Sequence, residues 1–272
     1  MTSTIYHFPE LSRPDCGLFR GPGPGLGNLL FPIARALQAQ RQTGGIMVFP
    51  TMRQIKIGTY LRREKDKRTY GEIFRPRTLA EVTDWFSATM RRKRLEIDAD
   101  LHAQVVRYVG MGRQFHDLSP DSDFLRQFLW DASRMPVPVH RYDIAIHVRL
   151  GDFAPPDASA TQQNTQVPLE WYSEALGAAL ELLGGGVQRG ILFSDEAPEA
   201  VIGKLGLEGF VPEPQGNALT SILLMSQAKV LIGSRSTFSL WGQYLGQSHA
   251  FWPQGFDLAK YKRPDAEKDI FV

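Results

Sequence analysis

The chain has 272 residues, of which 43% are hydrophobic, and a net charge of only +2; this suffices for one large or two ordinary globular domains with a true core and excludes a disordered chain. No apolar run approaches the length of a bilayer span, the opening seven residues lack a basic-then-apolar secretory pattern, and Cys16 is the sole cysteine, so a disulfide framework is excluded and a soluble, cytoplasmic chain is expected. Residues 1–140 carry 21 Lys+Arg against 14 Asp+Glu (+7), whereas residues 141–272 carry 10 against 15 (−5), an asymmetry that suggests two domains.

In chain order, the Gly/Pro-rich loop Gly21-Pro22-Gly23-Pro24-Gly25-Leu26-Gly27 leads into a helix from Asn28, with Pro32 tolerated near the first turn. A short strand is predicted over 46–49, helices near 78–90 and 121–131, and a strand near 105–109. The basic runs at 62–68 and 91–94 read as solvated helix faces. They also offer a peripheral contact with an anionic membrane surface, but the first is interrupted by acids and lacks stacking aromatics, so no nucleic-acid partner is expected. Pro136-Val137-Pro138-Val139 interrupts helix and sheet alike, placing the domain boundary near 138/139, with domains 1–138 and 139–272.

Beyond it, strands at 143–149, 190–194, 229–233 and 249–252 alternate with helices at 168–183, 198–204, 217–228 and 237–245. That alternation predicts a parallel sheet joined by right-handed crossovers, with its strand C-termini on one rim. Three of those ends change from apolar to polar. The first ends in His147, Arg149 and Asp152; the rigid guanidinium fork of Arg149 matches the oxygens of a phosphate. The second ends in Ser194, Asp195 and Glu196, where Asp195 could accept bonds from a base or sugar or cap the next helix. The third passes through Ser234 and Arg235 into Ser236, Thr237 and Phe238, where a helix N-terminus with hydroxyl donors suits a phosphate.

Other chemistries find no support. The Gly/Pro loop does not match G-x-G-x-x-G, no Gly-Lys-Ser/Thr closes a P-loop, and neither H-E-x-x-H nor G-x-S-x-G occurs. Asp98-Ala99-Asp100 and Asp121-Ser122-Asp123 could hold a divalent ion, but one follows a basic run and the other opens a helix, so no metal is expected.

Four segments, in order, resemble the fucosyltransferases that use GDP-fucose, particularly the α-1,2-fucosyltransferases of glycosyltransferase family 11. Gly25-Leu26-Gly27-Asn28-Leu29-Leu30-Phe31 is similar to that family's G-G-L-G-N-Q-M-F, and His147-Val148-Arg149-Leu150-Gly151-Asp152-Phe153 to H-V-R-R-G-D-Y. Phe193-Ser194-Asp195-Glu196 is similar to F-S-D-D, and Ser236-Thr237-Phe238-Ser239-Leu240-Trp241 to S-T-F-S-W-W. The resemblance implies a GT-B fold, two Rossmann-like domains facing across a cleft, and inverting, metal-independent transfer of fucose to a glycan hydroxyl. Carried over, Arg149 would grip the β-phosphate, Ser236, Thr237 and Phe238 would line the diphosphate, and Ser194 and Asp195 would lie near the nucleoside. Gly27 and Asn28 would border the reacting sugar, and His147 would support the nucleotide or the Arg149 loop. His147, Asp152 and Glu196 are the candidates for general base. Leu29, Leu150, Phe153 and Leu240 depart from the family pattern, which leaves another GDP-sugar donor, or a non-catalytic nucleotide-sugar-binding protein, as alternatives.

Overall fold

The structure, a computed structural model, describes residues 4–55, 69–91, 93–95, 104–150, 166–187, 189–195 and 197–272. The chain forms two compact units, 1–135 and 136–272, each an α/β structure on a wholly parallel sheet. Val137 is buried and Val139 is exposed in the proline-containing stretch. Gln227 ties that stretch to the second unit, accepting from the His140 amide at 2.7 Å and donating to the Pro138 carbonyl at 3.0 Å.

In the first unit, strands β1 (Tyr6–Glu10), β2 (Ile46–Met47), β3 (Lys93–Leu95) and β4 (Val105–Val109) lie in the order β2-β1-β4-β3. Alternation of side chains divides the sheet between two helices. Tyr6, Phe8 and Val105 pack with Trp85 and Ala88 of α2 (Leu79–Thr89), while Val106 and Tyr108 meet Ala36 of α1 (Leu26–Thr43). Helix α1 starts at Leu26, two residues before the expected Asn28, so Pro32 falls in the second turn. The carbonyl of residue 28 therefore receives no backbone N–H from residue 32. Strand β1 escapes pattern reading because Pro9 and the buried His7 interrupt it; the His7 ring is satisfied by the Tyr108 hydroxyl and the Gly44 carbonyl at 2.9 and 3.0 Å. In the basic run at 91–94, Lys93 and Arg94 lie in the strand Lys93–Leu95, which pairs with β4 at the sheet edge and is not helical. The run at 62–68 lies outside the described residues. Helix α3 (Asp123–Ala132) closes the unit.

The second unit contains β5 (Tyr142–Val148), α4 (Leu169–Leu183), β6 (Gly190–Ser194), α5 (Pro198–Leu205), β7 (Phe210–Pro212), α6 (Ala218–Met225), β8 (Ala228–Ile232), α7 (Thr237–Gly246), β9 (His249–Trp252) and β10 (Asp269–Phe271). The sheet order β10-β9-β8-β5-β6-β7 is the doubly wound arrangement 3-2-1-4-5-6 when β5 is counted as the first strand. Ile144, Ile146 and Val148 face Trp171, Tyr172, Ala175 and Ala179 of α4. His147 points the opposite way and meets Ser239 and Phe238 of α7, so helices cover both faces. Near-continuous burial along β5, β6 and β8 is what a doubly covered parallel sheet requires.

The short edge strands β7 and β10 carry too few residues for a readable alternation. Strand β10 is held by its first residue. Asp269 is buried, and its carboxylate accepts from Gln243 Nε2 at 2.7 Å, Trp252 Nε1 at 3.1 Å and the Asp265 amide at 2.7 Å, and pairs with Lys262 at 2.8 Å. Every lone-pair direction is thus used, the condition under which a charge tolerates burial.

Candidate functional site

The order in which strands are added across the second sheet reverses between β5 and β8: β5, β6 and β7 proceed to one edge, and β8, β9 and β10 to the other. The loops beyond β5 and β8 therefore diverge at their carboxyl ends, the place where an open α/β sheet forms its ligand crevice. Arg149 and Leu150 leave β5 there, Ser194 and Asp195 leave the adjacent β6, and Gly233–Ser236 leave β8.

Arg149 is oriented by its neighbour. Its Nε lies 3.1 Å from Asp195 Oδ2, while Asp195 Oδ1 accepts the Leu150 amide at 2.8 Å. One carboxylate thus holds both the guanidinium and the backbone that follows it, with the two side chains 24% and 29% exposed. Asp195, expected beside a nucleoside, is placed against Arg149. Asp152 and Glu196 lie outside the described residues.

His147 forms the floor. Its Nδ1 is 2.7 Å from Ser239 Oγ and 3.1 Å from Ser234 Oγ, and its ring packs on Phe238 at 5.2 Å between centroids. Ser239 Oγ accepts the Ser234 amide at 3.1 Å, which leaves its own proton to point at Nδ1 and makes the neutral, Nε2-protonated tautomer the consistent one. Burial, reinforced by the nearby charge of Arg149, depresses the imidazole from 6.5 to about 3. Below it, Tyr172 donates to the His147 carbonyl at 3.4 Å, and burial pushes that phenol upward.

Ser236 is the N-cap of α7; its Oγ accepts the Ser239 amide at 3.3 Å and lies 3.0 Å from Ser234 Oγ. Arg235, Ser236, Thr237 and Phe238 are all half-buried. Gly233 admits the close approach of β9: a Cβ there would sit 2.3 Å from the Trp252 ring. Two residues of this site were not singled out by sequence reasoning. Ser239 could have been inferred, since a serine three residues after an N-cap serine is the third helical position whose amide the cap receives. Arg235 carries no such signal. Its Nη2 donates to the Gln254 carbonyl at 3.1 Å, its Nε is buried without an acceptor, and its charge acts on the Tyr172 hydroxyl, which places a second cation near the end of β5.

Gly27 and Asn28 belong to the first unit, in the opening turn of α1, with Gly27 buried and Asn28 half-buried. The loop before them is clamped. Gln54 Oε1 accepts the Gly23 amide at 3.1 Å and Arg20 Nη1 at 3.0 Å, and the Tyr70 hydroxyl accepts the Leu26 amide at 3.1 Å. Arg20 is fully buried beneath this loop, and burial lowers its guanidinium to about 10. Of the two acidic pairs, Asp98 and Asp100 lie outside the described residues. Asp121 and Asp123 are paired with Arg41 and Arg126, each at 2.8 Å. Among the described residues no group of three or more His, Cys, Asp or Glu could hold a metal ion, and no helix is long and apolar enough to cross a membrane.

No protein-family model and no curated protein matches the sequence. Among solved structures, the chain is similar to NodZ α-1,6-fucosyltransferase soaked with GDP-fucose, at 12% identity over 84% of this chain and 91% of that one, with a TM-score of 0.38. The fucosyltransferase NodZ from Bradyrhizobium aligns at 13% identity over 83% and 91% of the two chains, with a TM-score of 0.38. The NodZ enzyme co-crystallised with GDP gives 13% over 83% and 90%, with a TM-score of 0.37. At these scores the likeness is distant, and the site stands on its own geometry.

Proposed function

We propose that the chain is a glycosyltransferase that moves fucose from GDP-fucose to a glycan hydroxyl, with inversion and without a metal, using a GT-B arrangement of its two Rossmann-like units. The observation that carries this reading is the braced Arg149, set at the switch point of a doubly wound sheet beside the serine-capped N-terminus of α7. That combination suits a diphosphate: a guanidinium fork, a helix dipole and hydroxyl donors at one strand rim. The choice of GDP-fucose follows from the four motif segments in the sequence.

In an inverting transfer the acceptor oxygen attacks the anomeric carbon as the diphosphate departs, so negative charge grows on the β-phosphate. Arg149 opposes that charge, and its fixed geometry means little reorganisation is needed as the charge develops. Because Asp195 neutralises part of the charge of Arg149, Arg235 supplies further positive charge for a dianionic leaving group. His147, buried and depressed to about 3, is a poor proton acceptor at neutral pH and acts in this reading by positioning the end of β5. Asp152 and Glu196 remain as the acids from which a general base would be drawn. A cytoplasmic setting with peripheral membrane contact through the basic runs is compatible with this reading.

Calorimetric titration with GDP in excess EDTA, with UDP and ADP as controls, tests the proposal. Selective GDP binding is expected, followed by turnover of GDP-fucose with a glycan acceptor. Absence of binding in EDTA, with recovery in Mn²⁺ or with UDP, overturns it and returns Asp98 and Asp100 to consideration.

A further inference from the structure

The first unit contains a cavity of about 540 Å³ that the donor chemistry does not use, within the size range of sites that take small ligands. It is bordered by the loops that leave β1 and β2, the carboxyl-end position expected of a ligand site in an open α/β unit, and by α2. Its walls are aromatic. Phe49, Phe74, Trp85 and Phe86 line it, and Phe86 and Leu18 are left 59% and 82% exposed at its rim. Among the described residues that line it the charge has one sign: Arg53, Arg75, Arg77 and Arg134, with no Asp or Glu.

Three of these cations are already engaged. Arg77 is tied to the Phe49 carbonyl through Nε at 3.0 Å and to Thr51 Oγ1 through Nη2 at 2.8 Å. Arg75 makes a two-pronged contact with Glu81 at 2.8 and 2.9 Å and lies over the Phe49 ring at 4.7 Å. Arg134 pairs with Glu72 at 2.8 Å. Arg53 is exposed and has no acid partner among the described residues.

We propose that this cavity is the acceptor site and that it takes an acidic sugar, one bearing a carboxylate or a phosphate. Aromatic faces accept the apolar C–H face of a pyranose, and a guanidinium without an acid partner recognises the anionic group through charge-assisted bonds. This assignment rests on the reading of the chain as a sugar transferase.

Cys16, the only cysteine, is exposed and lies on the cavity wall, so its reaction with a thiol reagent reports occupancy without any engineered probe. The full chain is titrated with tetragalacturonate, glucose 6-phosphate and maltotetraose while the labelling rate of Cys16 is followed, and GDP binding is measured on the same sample. Saturating tetragalacturonate or glucose 6-phosphate slows labelling and maltotetraose does not; the first two arms separate a carboxylate from a phosphate ligand. Arg53→Ala weakens the protecting ligand about tenfold, Arg53→Lys weakens it less, and both leave GDP affinity unchanged. Phe86→Ala, at an exposed position that the fold tolerates, weakens it as well. Equal protection by maltotetraose, or no protection by any of the three while GDP binds normally, overturns the proposal. Loss of GDP binding instead removes the transferase reading, and the labelling result is then read independently of it.

Discussion

The depressed imidazole of His147 makes the second unit sensitive to acid in a calculable way. In the unfolded chain His147 titrates near 6.5, and in the folded chain near 3. The unfolded state therefore binds the additional proton across that window, so stability rises with pH: the contribution is complete above 6.5 and is lost as pH falls towards 3. Between the two values each pH unit costs about 1.4 kcal/mol, so about 2 kcal/mol is gone by pH 5 and about 4 kcal/mol by pH 3, where the folded-state imidazole is itself half protonated. The perturbation is His147→Gln, which keeps an acceptor for the Ser239 and Ser234 hydroxyls and cannot be protonated in this range. Urea denaturation at half-unit intervals from pH 7.5 to 4.5 gives the difference between the two proteins, in which the titrations of His7 and the carboxylates cancel. The variant is expected to be less stable at pH 7.5 and to recover relative to the parent as pH falls. Parallel stability curves, or titration near 6.5 of the one imidazole resonance that the His147→Gln variant lacks, would refute the buried neutral assignment and with it the positioning role of His147.

Three other expectations follow from contacts in the second unit. Arg149→Lys keeps a charge but loses the fork, so the protein stays folded by circular dichroism while turnover of GDP-fucose drops roughly 10²–10³-fold; near-parental turnover would sink the assignment of Arg149. Asp269→Ala strands the charge of Lys262 and removes the acceptor for Gln243 and Trp252, so chemical denaturation should report a loss of about 3–5 kcal/mol. Gly233→Ala drives a methyl into the Trp252 ring and should cost about 1–3 kcal/mol, with a perturbed near-ultraviolet spectrum; an unchanged denaturation midpoint would show that β9 yields freely.

Four of the second unit's strands and its helices were legible because β5, β6, β8 and β9 are apolar runs punctuated by glycine, serine and amphipathic segments, and alternation of strand and helix permits little besides a parallel sheet. The rim was legible for the same reason: polar residues that interrupt an apolar strand at its end have nowhere to go but the crevice. Where the local signal was weak, reading failed. His7 and Pro9 disguised β1, the edge strands β7 and β10 have three residues each, and the basic residues of β3 look like a solvated helix face until β4 is seen beside them.

Sequence alone determined the apolar-to-polar strand ends at His147 and Arg149 and at Ser194 and Asp195, and the helix capped by Ser236, because strand ends and caps are encoded within a few neighbouring residues. Only the tertiary structure decided that Asp195 braces Arg149, that burial and the charge of Arg149 hold His147 neutral while Ser234 and Ser239 contact its ring, and that aromatic and arginine side chains from four separate segments line a cavity in the first unit. Those are contacts between residues tens of positions apart, and their chemistry follows from burial and distance, which no local pattern contains.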